Sequence, residues 1–100
     1  MGFIQVRTVP VVPAGAPFAC DIFIVGASPG GIVTIRLAQT SGANPRYTNR
    51  SDVPIAADGS GVTRFDVILH GANTEAQLVA DDISSAIPLA RGDAHVSVTP

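Results

Sequence analysis

One hundred residues, 46% of them hydrophobic but only 5% aromatic, with no Trp, suffice for one domain around a single core of Val, Ile, Leu and Ala. Charged residues make up only 14%, against the usual quarter, which fits a chain that covers part of its surface with a partner or with copies of itself. The net charge of −2 and the scatter of the six basic residues, all Arg, exclude the concentrated basic footprint of a nucleic-acid binder. The lone Cys20 excludes an internal disulfide, and no apolar run approaches membrane-spanning length.

Taken in chain order, segment 1–17 is predicted as a Pro-rich N-terminal arm. Its "FIQVRTV" forms an edge strand, and Pro10, Pro13 and Pro17 block further pairing because proline lacks an N–H for the ladder. "PFACDIFIVG" follows as a central strand, or one whose outer face meets something. Cys20, Ile22 and Ile24 share one side, and Asp21, Phe23 and Val25 the other. "GIVTIRLAQT" alternates cleanly, with Val33, Ile35 and Leu37 inward and Thr34 and Arg36 outward. Gln39 to Ala56 is predicted as the longest irregular stretch, with "SDVPI" as a short edge strand inside it.

"GVTRFDVILHG" repeats the alternation, placing Phe65, Val67 and Leu69 inward and Arg64, Asp66 and His70 outward. "AQLVADDI" reads as a strand in preference to a helix because of Val79, Ile83 and the following Pro88. "AHVSV" closes the chain with Val96 and Val98 in the core set. Turn chemistry separates these runs at "GASPGG", "TSGANP", "AADGSG", "HGANTE" and "ARGD". Six to eight short strands at this spacing predict an all-β, two-sheet antiparallel sandwich forming one domain, 1–100.

"AADGSGVTRFDVIL", followed by "AQLVADD" and a closing "AHVSVTP", resembles the later strands of bacterial and phage immunoglobulin-like domains. "PFACDIFIVGASPGGIVTIRL" resembles their second and third strands. The resemblance implies an immunoglobulin-like β-sandwich of about seven strands.

Four motifs carry chemistry that the composition does not support. "AADGSGV" offers Asp58 alone where a calcium loop needs several carboxylates at fixed offsets. "GASPGG" lacks the Lys and the following helix of a phosphate cradle. Asn49-Arg50-Ser51 has the form of a glycosylation sequon. Arg91-Gly92-Asp93 is a candidate adhesive loop, placed on a turn before the last strand.

His70 and His95 lie at strand ends, and Asp81-Asp82 point to opposite faces of their strand, so no catalytic constellation converges. The expectation is a protein that is not an enzyme and uses no cofactor or metal. Arg46, Tyr47 and Arg50 in the long loop, with Pro10 and Pro13 in the arm, are the expected partner contacts, because Tyr and Arg dominate interface hot spots.

The function expected is a non-catalytic structural or protein-interaction module. In its specific form it is a phage virion component, a capsid decoration or tail-associated protein, made in the host cytoplasm. Its partners are then capsid or tail proteins, or itself, in a homo-oligomer or symmetric assembly, with neither nucleic acid nor membrane. The warrant is a self-sufficient length beginning at Met, no export signal, low charge and apolar strand faces. The alternatives are a domain of a bacterial cell-surface adhesin bearing the RGD loop, and a carbohydrate-binding module.

Overall fold

A computed structural model describes residues 2–40, 45–84 and 91–100, with residues 45–48 described by backbone alone. The chain forms eight strands in two layers: β1 (Phe3–Arg7), β2 (Val11–Pro13), β3 (Phe18–Val25), β4 (Ile32–Thr40), β5 (Pro45–Pro54), β6 (Gly61–Val67), β7 (Thr74–Asp82) and β8 (Gly92–Thr99). One sheet has the order β1-β3-β6 and the other β2-β8-β7-β4-β5. All pairings are antiparallel except β2 with β8, which run parallel.

The two-residue period sets which side chains meet between the layers. Ile22 and Ile24 from β3 and Phe65 and Val67 from β6 supply one wall. Val33, Ile35 and Leu37 from β4, Leu78 from β7 and Val96 from β8 supply the other. Each fully buried aliphatic side chain contributes about 1.5–3 kcal/mol relative to exposure, so these alternating positions hold the sheets together. Cys20 is wholly buried among them, and burial, reinforced by the neighbouring Asp21 charge, pushes its thiol up to about 11. It acts as a small hydrophobe that stays protonated.

The turns follow their sequence chemistry. Gly26, Gly30 and Gly59 all have positive φ. At Gly59 a side chain would also meet the Ala27 carbonyl oxygen at 2.9 Å, because the two turns pack together and Ala27 N–H donates to the Gly59 carbonyl. Asp58 locks this turn by accepting hydrogen bonds from the Ser60 N–H and hydroxyl, which also hold its carboxyl below the usual range.

Three expectations need correction. Gln39 to Ala56 is not an irregular stretch: β5 runs for ten residues alongside β4. Its sequence "PRYTNRSDVP" hides this because it lacks apolar alternation; among its described residues only its end, within the expected edge strand "SDVPI", carries a core residue, the buried Val53. A bulge opposite Leu37/Ala38 absorbs one extra residue, so Tyr47 pairs with Ala38 and Asn49 with Leu37.

Second, Gly92 and Asp93 do not turn the chain. They pair with Ala80 and Val79 and begin β8. Third, the Pro-rich arm becomes two edge strands in different sheets: β1 beside β3 and β2 beside β8. That second strand raises the count from about seven to eight. "TSGANP" and Pro88 fall largely or wholly outside the described residues.

Candidate functional site

The folded chain presents two outer sheet faces of different character. On the small sheet, Phe3, Phe23, Val25 and Val62 point away from the core. The register sets Phe3 opposite Val25 and Phe23 opposite both Gln5 and Val62. Phe3 is 48% exposed, Val25 41% and Val62 60%, so these apolar groups form one contiguous exposed patch rather than scattered residues. A shallow apolar depression extends from Phe23, Val25 and Val62 over the sheet edge to Pro54 and Ala56.

Charge lies in the next rows of the same face. Arg7 sits over the Phe23 ring, 5.2 Å from its centroid. Arg64 grips Asp21 with two hydrogen bonds, Nε to Oδ1 at 2.6 Å and Nη2 to Oδ2 at 3.2 Å. The bond from Arg64 holds the Asp21 carboxyl below the usual carboxylate range; partial burial opposes this and the Arg64 charge adds to it. The folded pKa is therefore below the unfolded one. Stability from this carboxylate is present above the unfolded value and is lost as pH falls through the folded one. Asp21→Asn is expected to change little at neutral pH, where an exposed pair contributes modestly, and to flatten the loss of urea stability between about pH 5 and 2. An unchanged acid limb would show that Asp21 keeps its ordinary pKa.

Among the described residues, the middle of the outer face of the large sheet is polar and ordered in rows, while Ile32 and Val11 lie exposed towards its edges. Asp81 accepts Arg91 Nε at 2.6 Å and lies 3.6 Å from Arg36 Nη2. In the next row Ala38, Val79 and Asp93 stand side by side, and Gln77 Nε2 donates to Asp93 Oδ2 at 2.7 Å. An open depression of about 520 Å³ is lined by Arg91 and Asp81, by Ala38, Val79 and Asp93 of the next row, and by Gln77 and Thr40 of the row after. Farther along, the Ser97 hydroxyl donates to Glu75.

The expected contact residues are dispersed. Arg46 and Tyr47 lie on β5, opposite Gln39 and Ala38, and their side chains fall outside the described residues. Arg50 is exposed opposite Arg36. Pro10 and Pro13 are exposed on the other edge of the same sheet, separated from β5 by three strands. The Pro10 carbonyl accepts the Ser97 N–H, and Pro13 pairs with Thr99.

The candidate adhesive loop is corrected in place: Arg91 leads directly into β8, and Gly92 and Asp93 belong to it. An extended strand puts Arg91 and Asp93 on the same face about 6.6 Å apart along its axis. Gly92 between them is buried against the backbone of Ile4.

Asp82 is buried and accepts the Ser84 N–H and hydroxyl, while Asp81 faces out, so the two carboxylates do not converge. His70 follows the end of β6, and His95 lies on β8 in the other sheet.

Sequence reasoning flagged the outer side of β3 but missed Phe3 and Val62, which complete the patch. Their signal was an apolar residue at an outward position beside polar neighbours. The Arg36–Asp81–Arg91 cluster had no local signal, because Arg36 on β4 lies far along the chain from Asp81 and Arg91.

No family model matches the chain, and no curated protein does. Among solved structures, the chain is similar to a crystal structure of a CARDB domain from Pyrococcus furiosus in complex with di-metal ions. The TM-score is 0.79 at 13% identity, covering 99% of this chain and 93% of that one. A solution NMR structure of the CARDB domain from the same source gives a TM-score of 0.75 at 12% identity, covering 98% and 94%. At such identity the likeness speaks to fold alone. The two-layer topology and this likeness together identify the chain as an all-β protein with an immunoglobulin-like β-sandwich fold.

Proposed function

We propose that this chain is a non-catalytic protein-interaction module that binds its partner through the outer face of the small sheet. The observation that carries the reading is the exposed apolar patch of Phe3, Phe23, Val25 and Val62. A sandwich of this size already has a full core between its layers. A second apolar surface on the outside costs solubility unless a partner covers it. Its specific form is a virion component, a capsid decoration or tail-associated protein seated on a symmetric shell or tube. Low overall charge supports this, since a repeated lattice covers much of each subunit.

Among the described residues, no group of three or more His, Cys, Asp or Glu could hold a metal ion, so the di-metal ions of the Pyrococcus furiosus domain are not carried over. The adhesin alternative draws on Arg91 and Asp93, but Gly92 and Asp93 belong to β8 and not to a loop tip.

Terminase or portal genes beside the coding gene are expected, and neighbours encoding a secreted surface protein would overturn the virion form. Co-sedimentation with the particles specified by that neighbourhood then tests the face. The wild type is expected to pellet with them, and Val62→Asp, which alters only an exposed position, is expected to stay in solution. Equal pelleting of both would sink the assignment of this face.

A further inference from the structure

The polar face of the large sheet has a self-complementary arrangement. Arg91 stands out from it, its side chain 70% exposed, directly beside a depression floored by Ala38 and Val79. Asp93 stands in the same row as that floor, beside Val79 and one row on from Arg91. A two-fold axis lying in the face, across the strands and between these two rows, maps each Arg91 onto the partner's Asp93 position and each Asp93 onto the partner's Arg91. This is the reciprocal pattern that an isologous contact requires.

We infer that this face pairs with the same face of a second copy of the chain, each Arg91 entering the other's depression and meeting Asp93 across the two-fold. The inference rests on reading the chain as an interaction module, and it concerns the face opposite the apolar patch.

The chemistry of both groups leaves room for the contact. Arg91 uses Nε for Asp81, so the four N–H donors of its two terminal nitrogens remain for a second carboxylate. Asp93 uses one lone pair of Oδ2 for Gln77, so Oδ1 and the rest of Oδ2 remain for a guanidinium. The intramolecular bonds also hold both charged groups in place before contact, which lowers the ordering cost of pairing.

Within the same two rows Asp81 comes over Val79 and Arg36 over Ala38, so no like charges meet among these residues. The pairing is electrostatic, so it is expected to weaken as salt screens it.

The test is a charge exchange read by sedimentation velocity over a micromolar to millimolar range. Wild type is expected to dimerise reversibly, more weakly at 0.5 M salt than at 0.05 M. Arg91→Asp and Asp93→Arg are each expected to weaken the dimer at least about tenfold, because each brings like charges together. Mixing the two variants is expected to restore a dimer, since one then carries two acids and the other two arginines at the matching positions.

A wild type that stays monomeric at millimolar concentration overturns the inference, as does a dimer that either variant leaves intact or a mixture that fails to associate. Circular dichroism and urea melts of the variants establish that each is folded. Val62→Asp keeps this dimer if the pairing face is assigned correctly, whatever happens to particle binding. A failure here is thereby distinguishable from a failure of the functional reading.

Discussion

Replacing Gly92 with Ala is expected to destabilise the folded chain by about 3 kcal/mol, more than either charged neighbour of the same tripeptide contributes. A Cβ at this position would lie 2.5 Å from the carbonyl oxygen of Ile4 and 2.9 Å from its carbonyl carbon. Those are backbone atoms of β1, and they cannot swing aside as the end of a flexible side chain would. β1 belongs to the small sheet and β8 to the large one, so Gly92 lets the two layers close at this edge of the sandwich.

The same glycine pairs with Ala80 in β7, which fixes it from the other side. Urea unfolding should show a lower midpoint with an unchanged slope. Arg91→Ala and Asp93→Ala, at exposed positions, should shift the midpoint only slightly. A Gly92→Ala variant as stable as wild type would mean that β8 does not run against Ile4. The tripeptide's glycine therefore has a packing reason that needs no receptor.

The second large effect is expected at Leu78. It is wholly buried at the middle of β7, between Gln39 of β4 and Ala94 of β8 in the ladder. Leu78→Ala removes its buried methyl groups and leaves a cavity that the flanking strands, fixed on both sides by backbone hydrogen bonds, cannot collapse to fill. A loss of about 2–5 kcal/mol follows, a large part of the 5–15 kcal/mol by which such domains are stable. Leu78→Met, which nearly conserves volume, should cost less than about 1.5 kcal/mol. Thermal and urea unfolding of the pair measure the difference. Equal stability of the two variants would place Leu78 outside the core.

How far the fold was legible depended on which force holds each element. β3, β4, β6, β7 and β8 bury alternate residues, and alternation is visible in a string of letters. Val96, Ile35 and Phe65 were placed inward for this reason, and they are buried. Of β5 only its end, within the expected edge strand "SDVPI", was legible; the rest was missed because the backbone N–H and carbonyl groups that pair it with β4 are carried by every residue. β2 was missed because three residues show no period.

The start of β8 was misread because glycine next to aspartate serves equally in a turn and at a close backbone approach. Only the position of Ile4, nearly ninety residues away in the chain, separates those uses.

The sequence by itself determined the layered all-β architecture and the inward residues. Each follows from local period and composition. Tertiary structure alone decided that Arg91, Asp81 and Arg36 share one face, and that Phe3, Phe23, Val25 and Val62 form a single patch. It also turned the tripeptide from a loop tip into the first residues of a strand. Register between distant strands creates these neighbours, and register is set by the packing of the whole sheet, which no short window of sequence contains.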